Sequence, residues 1–314
     1  MGKTFIAAVF PGQGTQRVGM GKDFYDNIPA SREVFEEASD ALGWDMAKMC
    51  FEGDDRIDLT EYAQPCILAT EIAMLRGLRE RYGFAPDFFG GHSLGEYSAL
   101  TAAGALPFTD ALKIVHNRGK LMQVASPEGV GGMAAVIADT IDVEKIKESI
   151  ADFPMDVANI NSVDQVVISG QKAFMEVAEK NILGLFEKDE SARFVPLNVS
   201  APFHSRFMSD IKDAFKDILY DVKNRIRPEK AATVTSNFSG KFHEEDCDKV
   251  IDNLVSQLSG TVQWRDNMKI LSDKVTGIYE IGPNKPLRKF FSTIGVKCKS
   301  IVTLSNAKNE FESA

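Results

Sequence analysis

Apolar positions recur along this chain in two alternating rhythms. Thr4–Phe10 is a short continuous apolar run that ends at Pro11-Gly12, the pattern of a strand buried on both faces. Ser31–Leu42 instead spaces Val34, Phe35, Ala38 and Leu42 at helical intervals, with Ser31 in the N-cap position. Gln64–Arg81 repeats the helical rhythm through Ile67, Leu68, Ile72, Leu75 and Leu78. Phe88 and Phe89 open a second short apolar run, and Thr109–Val124 is again helical, with Thr109 as its cap.

The texture changes after Ser126-Pro127-Glu128-Gly129. Gly132–Ala138 reads as a strand and Val143–Ala151 as a helix. Met155–Asn159 and Gln165–Ser169 read as strands joined by the turn Asn161-Ser162-Val163-Asp164. Gln171–Phe186 reads as a helix and Arg193–Asn198 as a strand. This β-α-β-β-α-β order is the ferredoxin-like arrangement. It suggests a small domain, 129–199, inserted into a larger one formed by 1–128 and 200–314. Beyond it come a helix at Arg206–Asp221, a strand at Thr233–Ser236, helices at Cys247–Leu258 and Trp264–Leu271, and a strand at Thr276–Ile281. Strands alternating with helices outside the insert imply an α/β fold with a mainly parallel sheet covered on both faces.

Composition narrows the class. The chain has 314 residues, 44% hydrophobic and 26% charged, as in an ordinary globular protein, and is long enough to bury a core without covalent staples. Its four cysteines show no C-x-x-C spacing and do not group with the four histidines, so reduced thiols in a cytoplasmic chain are expected. No apolar run approaches a membrane-spanning length, and the N-terminal residues lead into a first strand and not a signal peptide. A net charge of −9 argues against general nucleic-acid binding. Pro283–Thr303 departs from that average: it holds Lys285, Arg288, Lys289, Lys297 and Lys299 and no acid. Either it is a solvated face or it attracts an acidic partner or a phosphate-bearing ligand.

The densest chemistry lies in FFGGHSLGEYSALTAAGAL, residues 88–106. Gly91-His92-Ser93-Leu94-Gly95 is a G-x-S-x-G pentapeptide between an apolar run and an Ala/Leu-rich helix. That context suits an elbow that holds a serine hydroxyl exposed in a strained turn at a helix N-terminus. A serine hydroxyl needs a neighbouring base to act as a nucleophile. His92 would point away from Ser93, His116 lies on an amphipathic helix, and His243 beside Glu244 and Glu245 reads as surface. His204 follows Ala201-Pro202-Phe203 in a loop between a strand and a helix, which makes it the candidate base. No acid stands out to orient it. Asp139, Asp156 and Asp164 fall in the insert, and a backbone carbonyl could serve instead. Oxyanion donors are expected from the Leu94 N–H and from Pro11-Gly12-Gln13-Gly14, the loop after the first strand. Arg118, beside Gly119, could clamp a carboxylate, although its spacing alone reads as a surface arginine.

Seven stretches then appear in the order of a known family. They are Phe10-Pro11-Gly12-Gln13-Gly14-Thr15-Gln16, Gly91-His92-Ser93-Leu94-Gly95-Glu96-Tyr97, Arg118-Gly119-Lys120-Leu121-Met122-Gln123, Asn161-Ser162 with 165–170, Ala201-Pro202-Phe203-His204-Ser205, Gln257-Leu258 through Val262-Gln263-Trp264, and Glu280-Ile281-Gly282-Pro283. Together they resemble the malonyl-CoA:acyl carrier protein transacylases of bacterial type II fatty acid synthesis, across essentially the whole chain. The resemblance implies an α/β-hydrolase-like larger domain with a ferredoxin-like insert. It implies Ser93 as nucleophile, His204 as base, Arg118 as the partner of the malonyl carboxylate, Gln13 and Leu94 as oxyanion donors, and the Gln257 carbonyl as the group that orients the histidine. It further implies malonyl-CoA as substrate with no cofactor, a monomer, and an acyl carrier protein as partner. The basic stretch with Lys285, Arg288 and Lys289 is the candidate docking face for that carrier, and the Cys and His spacing predicts no metal site. An esterase or thioesterase, an acyltransferase serving a polyketide synthase, and a non-catalytic docking module are the competing readings.

Overall fold

The computed structural model describes residues 4–127, 129–199 and 201–312; Glu128 and Ser200, at the expected domain limits, lie outside the described residues. Two four-stranded sheets organise the chain. The first runs in the order β2 (Phe88–Gly91), β1 (Ile6–Phe10), β7 (Gly277–Ile281), β8 (Cys298–Ile301), with every pair parallel. Alternate residues of β1 enter separate cores. Ala8 and Phe10 join one apolar cluster, while Ala7 and Val9 join another with Trp264, Met268 and Phe291. That is how a continuous apolar run is consumed by a sheet covered on both faces.

The second sheet is antiparallel, in the order β4 (Met155–Ile160), β5 (Gln165–Gln171), β3 (Gly131–Ile137), β6 (Arg193–Pro196). The helices Val143–Ser149 and Met175–Leu183 cover one face, where Ala134, Val136, Val166 and Ile168 form a core of their own with Ile146 and Ile182. Met133, Ala135, Ala158 and Val167 point the other way, into the larger body. Backbone bonds from Ile160 N–H to the Val262 carbonyl (2.9 Å) and from Val262 N–H to the Ala158 carbonyl (2.8 Å) tie the two parts together.

Several local expectations change. Helix Pro29–Leu42 begins before Ser31, so Ser31 caps nothing; its buried hydroxyl donates to the Ala73 carbonyl at 2.8 Å. Thr109 likewise lies inside the helix Phe108–Val124. The helix Thr60–Tyr82 runs through Pro65, whose missing N–H frees the Glu61 carbonyl four residues back, and His116 Nδ1 meets that carbonyl at 3.1 Å. Residues 233–236 form no strand but two isolated bridges, Val234 parallel with Phe89 of β2 and Thr235 antiparallel with Phe242. The stretch 206–221 begins as a 3₁₀ turn, Arg206–Ile211, before the helix Lys212–Tyr220.

Candidate active site

In the parallel register Phe10 lies beside Gly91, so the loops leaving β1 and β2 emerge at one edge of the sheet. The helix after β2, Gly95–Ala102, starts immediately beyond the turn. A Cβ on Gly91 would overlap the Gly95 carbonyl, and one on Gly95 would overlap the carbonyls of Phe10 and Pro11. The two glycines of G-x-S-x-G are thus required by backbone crowding. Ser93 between them has φ +54°, and His204 also has φ +54°; no other described non-glycine residue has a positive φ. Left-handed backbone costs a non-glycine residue on the order of 1–3 kcal/mol and persists where surrounding structure enforces it.

Those two residues meet. Ser93 Oγ lies 2.7 Å from His204 Nε2, and His204 Nδ1 lies 2.8 Å from the Gln257 carbonyl oxygen. A carbonyl only accepts, so Nδ1 carries the proton and Nε2 presents a lone pair to the hydroxyl. Burial, then the Arg118 charge, pushes the His204 pKa down to about 3. The imidazole is therefore neutral at ordinary pH and able to accept a proton.

Arg118 is 1% exposed, not a surface residue. Its helix approaches Thr60–Tyr82 closely enough that a Cβ on Gly119 would overlap the Thr60 carbonyl. At that separation Arg118 donates to Gln64 Oε1 and Gln257 Oε1, each at 2.8 Å, and to Ser93 Oγ at 3.3 Å. Its guanidinium stacks over Tyr97 at 5.3 Å, and its Nε has no protein partner among the described residues. Among the described residues no carboxylate bonds it, so a buried cationic fork stands beside the serine with capacity to take one.

The two expected oxyanion donors flank the same turn. Gly12 packs against the His92 carbonyl, which brings Gln13 to the elbow, and the Gln13 side chain is held by Thr60 Oγ1 at 3.1 Å. Among the described residues no acceptor takes the N–H of Gln13 or of Leu94. A cleft of about 270 Å³ between the two sheets' territories opens onto His204 and is lined by Met155, Asp156, Val157, Arg206 and Gly260. A larger recess of about 650 Å³, beside Tyr25, Phe35 and Trp44, contains neither Ser93 nor any histidine, so size does not identify the site.

The other candidates separate from it. His92 faces Asn161 Oδ1 at 2.7 Å, and His116 lies 3.4 Å from the Glu61 carboxylate. Asp156 pairs with Arg206, Asp139 with Ser191, and Asp164 with Ser162; none reaches His204. His243 is not on the surface as its acidic neighbours suggested: its side chain is fully buried and meets Glu96 at 2.8 Å. Asn237 has no motif to announce it. Its Oδ1 accepts the Ser93 N–H at 2.5 Å and its Nδ2 donates to the Gly91 carbonyl at 2.7 Å, so it braces the elbow from both sides. Lys285, Arg288 and Lys289 are exposed, whereas Lys299 of the same run is paired with Glu310. Among the described residues no group of three or more His, Cys, Asp or Glu could hold a metal ion, and no helix is long and apolar enough to cross a membrane.

This chain matches the acyl transferase domain family over residues 7–282. It is 38% identical over 303 residues to the malonyl CoA-acyl carrier protein transacylase of Bacillus subtilis (strain 168), covering 94% of this chain and 92% of the relative. The chain belongs to the malonyl-CoA:acyl carrier protein transacylase family. Within that family, a solved transacylase from Clostridium perfringens superposes with a TM-score of 0.88 at 34% identity, covering 98% of this chain and 96% of that one. A malonyl-transacylase solved in complex with a type II PKS acyl-carrier protein superposes with a TM-score of 0.88 at 31% identity, covering 99% and 100%. The protein is accordingly an acyltransferase, and the α/β architecture with one parallel and one antiparallel sheet is that of its relatives.

Proposed function

We propose that this transacylase moves the malonyl group of malonyl-CoA onto the phosphopantetheine thiol of an acyl carrier protein, by way of an ester on Ser93. The observation that carries the reading is one chain of contacts: Gln257 carbonyl to His204 at 2.8 Å, His204 to Ser93 at 2.7 Å, and Arg118 within 3.3 Å of the same hydroxyl. His204 Nε2 takes the Ser93 proton as Oγ attacks the thioester carbonyl. The N–H groups of Leu94 and Gln13 receive the oxyanion. Collapse expels the coenzyme A sulfur, which takes the proton from His204. The carrier thiol then enters, gives its proton to His204, and attacks the ester to restore Ser93. Arg118 pairs with the malonyl carboxylate, so an acyl group lacking one leaves that buried cation unmatched. No step uses a cofactor.

Further parts of the reading rest on the same footing. The sheet order β4-β5-β3-β6 with its own apolar core supports a ferredoxin-like domain, 129–199, inserted in a hydrolase-like body, 1–128 and 200–314. Exposed Lys285, Arg288 and Lys289 are the proposed docking face for an acidic carrier protein, and the protein works as a cytoplasmic monomer. A labelled-substrate experiment tests the transfer. Malonyl label bound to the protein should persist without acceptor and discharge when carrier protein is added. Label that discharges into water at the same rate with or without carrier protein would make the enzyme a hydrolase instead.

A further inference from the structure

Glu96 follows the elbow in the first turn of its helix and is 0% exposed. Three donors converge on its carboxylate. His243 Nε2 reaches Oε1 at 2.8 Å, while Gln257 Nε2 and the Asn237 backbone N–H reach Oε2 at 2.6 and 3.0 Å. Two of those donors are braces of the site itself. Asn237 holds the Ser93 N–H and the Gly91 carbonyl. Gln257 donates to the Ser93 carbonyl at 3.0 Å, accepts from Arg118 at 2.8 Å, and presents to His204 the carbonyl that orients it. Glu96 is therefore the junction through which the elbow, the arginine and the histidine share one hydrogen-bond network.

Only one of the three donors has no other task there. His243 is held at its backbone by the Val234 carbonyl at 2.9 Å, its side chain is fully buried, and its Nδ1 has no protein partner among the described residues. A carboxylate sealed from water needs each lone-pair direction filled, or it rotates toward whatever donor remains. We infer that His243 is a positioning residue for acyl transfer: by saturating Oε1 it fixes the Glu96 carboxylate, and through it holds Gln257 and Asn237 in register with Ser93 and His204. A reacting pair held by residues that are themselves locked keeps its geometry; the same pair with a loose support loses rate before it loses affinity.

This inference rests on the Ser93 reading above, and the test separates the two. In the full-length enzyme, His243→Leu removes the donor and His243→Gln keeps an N–H at similar reach. The expected result for His243→Leu is a drop in kcat of about tenfold or more with KM for malonyl-CoA changed less than twofold, and recovery of most of that loss in His243→Gln. Melting temperature is recorded for both. Should His243→Leu not fold, Glu96→Gln, which turns an acceptor into a competing donor, is read the same way and is expected to show the same split. Wild-type kcat in His243→Leu overturns the inference, as does a loss shared equally by His243→Leu and His243→Gln. Ser93→Ala run in parallel must abolish acylation; if it does not, the failure lies with the Ser93 reading and not with His243.

Discussion

The two sheets divide the work of this molecule unequally. The antiparallel sheet has the longer ladder, seven paired positions between β3 and β5, and a core of its own. Yet it contributes none of the proposed reacting groups: Asn161, just beyond β4, meets His92, and Met155 and Val157 line the cleft wall. The parallel sheet has four short strands and carries the proposed chemistry. Parallel strands all end at one edge, so the loops after β1 and β2 deliver Gln13 and Ser93 to the same place, beside a helix N-terminus. Antiparallel hairpins send their connections to both ends and offer no such convergence. His204 follows β6 in the chain and meets Ser93 at 2.7 Å. In the proposed reading one sheet brings the reacting groups together, and the other lines part of the cleft that opens onto His204.

That division can be broken by measurement. Ser93→Ala, at the edge of the parallel sheet, should lower acylation by at least ~10³-fold, since removing the nucleophile leaves only binding and the oxyanion donors. Arg118→Gln should come next. Transfer of malonyl should fall roughly hundredfold more than transfer of acetyl, because only the first presents a carboxylate to the missing cation. Equal losses would remove Arg118 from substrate recognition.

The pH profile gives a smaller contrast. With the His204 pKa down at about 3, its neutral form persists into acid, so kcat/KM should change less than about twofold between pH 7 and pH 5 on account of this group. A histidine at the ordinary value of about 6.5 would cost about 25-fold over that range. Since the Arg118 charge is the second cause of the shift, Arg118→Gln should move the acid limb upward. The sign for stability follows. Between about 3 and about 6.5 the unfolded chain binds a proton that folded His204 refuses, so stability falls as pH drops through that window and gains nothing from this group above it. Smallest in activity is Ile168→Ala, in the core of the antiparallel sheet. It should reduce stability by about 2–5 kcal/mol while kcat of the folded protein stays within about twofold. A collapse of kcat in folded Ile168→Ala would erase the distinction between the sheets.

The same division governs what could be read before folding. The serine was legible because a tight turn leaves a local mark: Gly91 and Gly95 are demanded by crowding within a few residues of Ser93. The β-α-β-β-α-β order was legible from periodicity, because hairpin pairing is local. His204 emerged by its place in a loop after a strand and by elimination of the other three histidines, and its orienting carbonyl could not be chosen, since any residue carries one. Arg118 read as surface because its burial depends on Gly119 admitting a neighbouring helix, a fact of tertiary packing. His243 misled, because Glu244 and Glu245 are exposed while its own side chain turns inward to Glu96. Asn237 left no trace, its place being set by contacts distant in sequence: the bridges of Val234 with Phe89 and Thr235 with Phe242, and backbone bonds to Glu96 and Gln263. Family resemblance supplied the roles that spacing could not.

The central claim is that one serine, activated by one histidine, carries the acyl group. Brief incubation with malonyl-CoA, acid quench, and peptide mapping by mass spectrometry test it directly. The account predicts a single malonyl adduct on Ser93 in the wild type, none in Ser93→Ala, and slow accumulation at the same serine in His204→Ala. An adduct of equal occupancy in Ser93→Ala, or one mapped to any other residue of the wild type, would contradict it.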